Sequence, residues 1–221
     1  MLIYIRNDKG STPKGETEKM KISLTNRKLG AKIPSLNLPA LITCREDVPC
    51  RKGCYACKGN YTYKNVKKSL EENLKDYQEN PERFFEEIIT YLKDDDIIFK
   101  RFRWFSSGDI VDYRFFKGIV KVAQAVKETR FLLYTKKFDI VNSYVALGHK
   151  IPENLQIVFS GWDKDFKIYN PYNFPETYVE FKDKTRNHEK LEKSILCNND
   201  CKQCKACWYI RKGQSIKFIA H

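Results

Sequence analysis

The sequence predicts an α/β protein built on a partial parallel β/α barrel, and three observations carry that expectation. Apolar runs end near Phe105, Thr135 and Ser160. The stretch between consecutive runs fits one crossover helix, so parallel pairing in βα units is the natural arrangement. The intervening segments repeat apolar residues at helical spacing. In such sheets ligands gather beyond the carboxyl ends of the strands.

Residues 1–40 are basic, and "KGSTPKGETEK" and "KIPSLNLPA" interrupt any sustained period. They read as an irregular lead-in with short strands at "LIYIR" and "MKISL". Residues 41–195 form the expected β/α body, and residues 196–221 a cysteine-rich tail. Within the body, Val66, Leu70, Leu74 and Tyr77 mark one amphipathic helix. Asn80 caps a second, with Pro81 at its first position and Phe84, Phe85, Ile88, Ile89 and Leu92 turned inward.

"IIFKRFRWF" is rich in β-branched and aromatic residues and stops at "SSGD", as a strand leaving the core does. A helix from about Val111 to Lys127 follows, with Phe115, Phe116, Ile119, Val120, Ala123 and Val126 on its buried side. Then come strand "RFLLYT", a short helix in "FDIVNSYVALG" and strand "NLQIVFSGW". Residues 163–194 mix charge, Tyr, Asn and Pro and end in the helical pattern "NHEKLEKSIL".

Apolar residues reach 42% and aromatics 14%, enough for a packed core in a chain of 221 residues. No apolar run approaches membrane-spanning length and no leader is visible, which points to a cytoplasmic protein without a membrane partner. Forty-one Lys and Arg against 28 Asp and Glu give a formal charge of +13. Such a balance favours polyanionic partners, a nucleic acid or nucleotide first among them; an ordinary lysine-rich surface is the plainer explanation. The sequence is silent on oligomeric state.

Eight cysteines in a reducing compartment suit metal ligation better than disulfides. The tail places Cys197, Cys201, Cys204 and Cys207 at gaps of three, two and two. That continuous run favours a 4Fe-4S cluster, with zinc as the alternative, since zinc sites usually split into separated pairs. The first group is Cys44, Cys50, Cys54 and Cys57, and Cys50 to Cys57 spells CxxxCxxC. This spacing resembles that of radical S-adenosylmethionine enzymes, which hold a 4Fe-4S cluster through three thiolates and leave one iron open. A closed four-cysteine site that includes Cys44 is the competing arrangement.

Three strand ends supply candidate cofactor contacts. Ser107, Gly108 and Asp109 form a turn similar to the Gly-Gly-Glu-like turn by which radical S-adenosylmethionine enzymes receive the methionine amino group. Asp109 as the N-cap of the next helix is the simpler role. Lys136 and Ser160 stand beyond the next two strands, where a cation meets a carboxylate or phosphate; Trp162 follows Ser160, as pocket or core aromatic. His149, His188 and His221 show no ligand spacing.

The motifs "SLNLPALITC", "C...CYA..GNYTY..V", "SGDI", "LLYTKK", "ENLQIVFSGWD", the tail "C...C..C..CW" and "KGQSIKF" together resemble the phage gene product eighty-eight family. That family is itself similar to radical S-adenosylmethionine proteins, and the resemblance runs from about residue 35 to the end. It implies N-terminal ligands at Cys44, Cys50 and Cys54, with Cys57 as an extra cysteine. Two triads are therefore open, Cys44/Cys50/Cys54 by resemblance and Cys50/Cys54/Cys57 by spacing, and so is ligation by all four.

The expectation is a phage-type, radical S-adenosylmethionine-like enzyme with one catalytic and one auxiliary 4Fe-4S cluster, acting on a nucleic acid or nucleotide. The alternative is a non-enzymatic iron-sulfur or zinc protein that binds nucleic acid through its basic surface.

Overall fold

Side-chain alternation along the central strands divides the protein into a helix-covered face and a face covered by the cysteine tail. A computed structural model describes residues 20–24, 28–30, 32–94 and 99–220. The strand expected at "LIYIR", and His221, lie outside these residues.

One eight-stranded sheet runs in the order β1 (Ile22–Ser23), β2 (Ser35–Leu36), β3 (Arg101–Trp104), β4 (Arg130–Thr135), β5 (Leu155–Ser160), β6 (Glu176–Glu180), β8 (Ser215–Ile219), β7 (Ile195–Leu196). The β1–β2 pair is antiparallel and every other pair parallel. The sheet is open, with β1 and β7 at its edges. The short strand expected at "MKISL" is present as β1, and the lead-in adds one that was not expected, β2, which joins the parallel series. Asn73 pins this segment, exchanging hydrogen bonds with the Lys21 amide (2.6 Å) and carbonyl (2.9 Å) and donating to Asn37 O at 3.0 Å.

Helices α1 (Lys64–Glu79), α2 (Pro81–Leu92), α3 (Tyr113–Ala125) and α4 (Phe138–Ala146) carry the expected apolar stripes. Asn80 caps α2 through the Arg83 amide at 3.0 Å, as read from the sequence. The third helix is shorter than Val111–Lys127. It starts where Asp112 accepts the Phe115 amide at 2.7 Å. It stops where Asn154 donates to the carbonyls of Ala123, Val126 and Thr129 at 2.9–3.0 Å.

Phe131, Leu133, Ile157 and Phe159 alternate onto the helix face, where they meet Phe85, Phe115, Ile119 and Trp104 in one buried cluster. Each such large side chain contributes about 2–3 kcal/mol of burial energy. Leu132, Val158 and Ile216 point the other way, into a second cluster with Leu29, Ile33, Trp208, Ile210, Cys201 and Cys207. The sheet is buried on both faces, as a parallel sheet requires.

"NHEKLEKSIL" departs from the helical expectation. Glu189–Lys193 is a 3-10 turn, and Ile195–Leu196 is strand β7. Pairing with β8 and the 2.7 Å contact between the Ser194 and Ser215 hydroxyls supply what a longer helix would have supplied. Strands β6 and β8 were not anticipated: "ETYVE" sits in a Pro- and Asn-rich stretch, and "SIKFI" follows the cysteines.

Candidate metal centres and the strand-end site

The turn after β3 is stitched on three sides. Asn37 Oδ1 accepts the Ser106 amide at 2.6 Å, and the Ser107 hydroxyl donates to Leu38 O at 2.9 Å. Gly108 has φ +82, and a Cβ there would lie 2.8 Å from Leu38 and from Thr43 Oγ1. Its lack of a side chain therefore serves the approach of segment 38–43. The buried Asp109 carboxylate accepts the Thr135 hydroxyl (2.6 Å), the Lys136 amide (2.8 Å) and the Ile110 amide (2.8 Å), while its own amide donates to Thr43 Oγ1 at 3.0 Å. Burial pushes this carboxyl up, and the Thr135 and amide hydrogen bonds pull it back. Both oxygens are thus engaged within the protein, joining β3 to β4. The cap of α3 is Asp112, three residues further on.

The first cysteine group lies over these strand ends. Three short 3-10 turns, Pro49–Gly53, Tyr55–Cys57 and Gly59–Thr62, follow Cys44; the first holds Cys50, the second Cys57, and Cys54 lies between them. Arg51 donates to Leu41 O at 2.8 Å, and Arg45 donates to Lys136 O at 3.2 Å. The hydroxyls of Tyr55 and Tyr61 both donate to Ser106 O. The segment is therefore held to the ends of β3 and β4 by side chains that the spacing of cysteines does not reveal.

Cys44, Cys50 and Cys54 are half-buried and Cys57 is exposed. Burial pushes the Cys44 thiol up to about 11, with Asp109, Cys50 and Cys54 adding to it. Burial also raises Cys50, against the Lys136 ammonium, which opposes the rise. Desolvation lowers Lys136, while Cys50, Asp109, Cys44 and Cys54 pull it back up. Lys136 Nζ donates to Ser160 Oγ at 2.6 Å, fixing the ammonium across the ends of β4 and β5. Cys57 is raised by burial and then by Cys54, and the cations that oppose the rise are Lys67 and Arg51. Cys57 is thus the most exposed thiol of the group.

The tail cysteines gather on the other face of the sheet. Backbone hydrogen bonds from Cys197 to Lys217 O (2.9 Å), Cys201 to Lys28 O (3.1 Å) and Cys204 to Asp200 O (2.9 Å) fold the loop. Helix α5 (Ala206–Tyr209) then places Cys207 and Trp208 against the sheet. Arg130 Nε donates to Trp208 O at 2.5 Å, and Arg101 donates to Cys201 O at 3.2 Å. Burial pushes Cys207 up to about 11, opposed by a hydrogen bond from Tyr134, with Cys197 and Cys201 adding to the rise. Burial likewise raises Cys201, with Lys28 and Arg103 opposing and Cys197 and Cys204 adding.

All eight cysteines are free thiols. Among the described residues no three His, Cys, Asp or Glu side chains converge closely enough to hold one metal ion. Four thiolates on a zinc ion at 2.3 Å would stand about 3.8 Å apart. A four-iron cluster is wider and holds its thiolates farther apart, and thiolate sulfur is the donor type both zinc and iron-sulfur clusters take. Thiols raised by burial lose their protons when a metal supplies the compensating charge. Asp109 Oδ1 accepts from Thr135 and Ile110 and Oδ2 from Lys136, which leaves one acceptor position on Oδ2 of this buried carboxylate.

Trp162 packs edge-on against Phe181 at 5.6 Å, His149 lies against Tyr144, and His188 stacks on Tyr178. Residues the spacing did not single out are Thr43, Arg45, Tyr61, Arg103 and Tyr134. Tyr61 stands within "GNYTY", and Arg103 alternates with core aromatics in "RFRW", which is the signal each carried.

Among the described residues no helix is long and apolar enough to cross a membrane. A family model described as Gene product 88 matches residues 5–210. Neither a curated protein nor a solved structure matches the chain.

Proposed function

The chain belongs to the gene product 88 family, and from that premise we propose a phage-type iron-sulfur protein that acts as a radical S-adenosylmethionine-like enzyme. One observation carries the reading. The segment that carries Cys44, Cys50 and Cys54 is tied to the carboxyl ends of β3 and β4, through Arg45 to Lys136 O and Tyr55 to Ser106 O, while Cys57 stays exposed. Three thiolates on a four-iron cluster leave one iron without a protein ligand. When bound, such a cluster supplies an open coordination position and an electron for cleavage of S-adenosylmethionine.

The chain's own residues then have defined tasks. Ser160 holds the Lys136 ammonium where a carboxylate arriving at the strand ends would meet it. Tyr55 and Tyr61 fix the cysteine segment to Ser106 O. The tail group, with four thiols and cationic neighbours Lys28 and Arg103, is suited to a closed auxiliary cluster. The parallel series from β2 to β8 is the portion of the sheet a partial barrel would use. The charge of +13 favours a nucleic acid or nucleotide as substrate.

A second reading rests on Asp109. It is buried and already accepts from Thr135, Lys136 and Ile110, so its main role is to clasp β3 to β4 and it offers a methionine amino group one acceptor position at most. In this reading both centres are structural, iron-sulfur or zinc, and the basic surface binds nucleic acid.

Anaerobic reconstitution followed by electron paramagnetic resonance, with and without S-adenosylmethionine, separates the two. The enzyme reading expects two clusters, one perturbed by the cofactor, and 5′-deoxyadenosine after reduction. Spectra indifferent to the cofactor, with salt-sensitive nucleic-acid binding, would select the second reading.

A further inference from the structure

Residues 49–68 carry six Lys and Arg and no Asp or Glu. They form the three 3-10 turns that follow Cys44 and the start of α1. Lys52, Lys58, Lys64 and Lys67 are exposed, and none of the ion pairs among the described residues uses any of the four. Further along the helices charges of opposite sign meet: Lys75 pairs with Glu79 and Arg83 with Glu87, while α3 supplies Arg114 to Glu82 and Lys121 to Glu86. No carboxylate compensates the four lysines in this way.

Two tyrosines stand among these lysines with their rings in solvent, Tyr55 at 62% and Tyr63 at 59% exposure. Tyr55 is braced, because its hydroxyl donates to Ser106 O and the ring of Tyr61 meets it edge-on at 6.0 Å. A ring already held in place loses little further freedom when a flat partner stacks on it. At Gly53 and Gly59 a Cβ would meet open space, so the backbone between the lysines is open to close approach. Helix α1 begins here with Lys64 and Lys67 in its first turn, no acid there and no side-chain cap. Cations at a helix amino end oppose the helix dipole, and the arrangement suits an anion arriving from outside the chain.

We propose that the surface of residues 51–68 binds a single strand of nucleic acid, its phosphates on Lys52, Lys58, Lys64 and Lys67 and its bases stacked on Tyr55 and Tyr63. Positive charge alone would take any polyanion, and the exposed rings select one with free base faces. A duplex hides those faces, and a polyanion without bases has none. The contacts are those that DNA and RNA share. The Tyr55 and Tyr61 hydroxyls tie this surface to Ser106 O, just beyond β3, so it borders the strand-end site. The inference rests on the nucleic-acid part of the proposed function and is independent of what the cysteines hold.

The test is fluorescence anisotropy of the full chain with a labelled oligothymidylate of about 20 nucleotides, repeated over a range of salt. Lys58→Gln with Lys64→Gln is expected to weaken binding about tenfold near physiological salt and to lower the salt slope by about 1.4, as loss of two single-strand phosphate contacts does. Tyr63→Ala is expected to weaken binding about tenfold with the slope unchanged, and Tyr63→Phe to stay within about twofold of the unmodified protein. An abasic strand and a duplex of the same length should each bind the unmodified protein about tenfold more weakly. Lys202→Gln with Lys205→Gln, exposed on the tail, should change binding by less than about twofold, since salt screens distant charges. Thermal melting reports whether each variant has folded, and the abasic strand carries the stacking claim where Tyr63→Ala does not fold. Failure of the unmodified protein to bind the oligothymidylate overturns both the nucleic-acid reading and this proposal. Binding unchanged by the Lys58 and Lys64 pair, or weakened as much by the tail pair, overturns the proposal alone. Equal or tighter binding of the duplex or the abasic strand also overturns it.

Discussion

Asp109, in the turn after β3, accepts the hydroxyl hydrogen of Thr135, at the end of β4, at 2.6 Å. With the Lys136 and Ile110 amides on the same carboxylate, this contact makes the turn a clasp between two strands. Asp109→Asn puts an NH2 where the carboxylate accepts hydrogens, leaving buried donors without acceptors. A loss of about 2–4 kcal/mol is expected, read from urea unfolding of the metal-free protein. An unchanged midpoint with altered ligand binding would assign Asp109 to a ligand instead.

The clasp also marks where sequence reading stops. Helical stripes such as Phe84, Phe85, Ile88 and Leu92 declare their faces, because burial recurs with the helical period. The central strands were legible from continuous apolar runs such as "RFLLYT". Strands β6 and β8 were not, because their partners are distant in sequence and their own composition is mixed. At the site, the cysteines announced themselves by spacing. Gly108 and Asp109 were legible as a turn at a strand end, but their contacts with Leu38, Thr43 and Thr135 were not, because those residues reach them only through the fold. The alternation in "RFRW" tells that Arg103 leaves the aromatic face of β3, but not which residues of the tail and of β4 it meets there.

Gly118 on α3 faces the ring of Phe85 on α2, and a Cβ there would lie 2.1 Å from it. Gly118→Ala gains helix propensity of roughly 1 kcal/mol but forces the ring aside. A net loss of about 2 kcal/mol or more is expected from overpacking. Gly118→Ala with Phe85→Leu should recover part of it, so a double-mutant cycle shows coupling; additive losses would contradict the contact.

His188 accepts the Lys190 amide through Nδ1 at 3.1 Å and stacks on Tyr178 at 4.0 Å. Burial, and next the Lys190 ammonium, holds the imidazole below its ordinary value. A depressed folded value means the neutral ring is favoured. Its stabilising contribution is present above the unfolded value of about 6.5 and is lost as pH falls. The melting temperature should therefore fall from pH 7.5 to pH 5.5 more steeply in the unmodified protein than in His188→Asn, which keeps an acceptor at the cap. Parallel slopes would show that His188 does not titrate on unfolding.

The division between the tail and the body is testable at Arg130, whose Nε donates to Trp208 O and whose guanidinium lies 4.4 Å from the Tyr209 ring centroid. Arg130→Met should loosen α5 at a cost of about 1–3 kcal/mol and raise the alkylation rate of Cys207 in the metal-free protein. Alkylation of Cys50 should be unaffected, and an equal rise at both would point to global unfolding.

The central claim is that Cys44, Cys50 and Cys54, and not Cys57, hold the first centre. The direct measurement is iron per chain, with the cofactor-responsive paramagnetic signal, for Cys57→Ser and Cys44→Ser after anaerobic reconstitution. Cys57→Ser is expected to keep both the iron and the response, and Cys44→Ser to lose the response and about half the iron. Retention in Cys44→Ser with loss in Cys57→Ser would contradict the account.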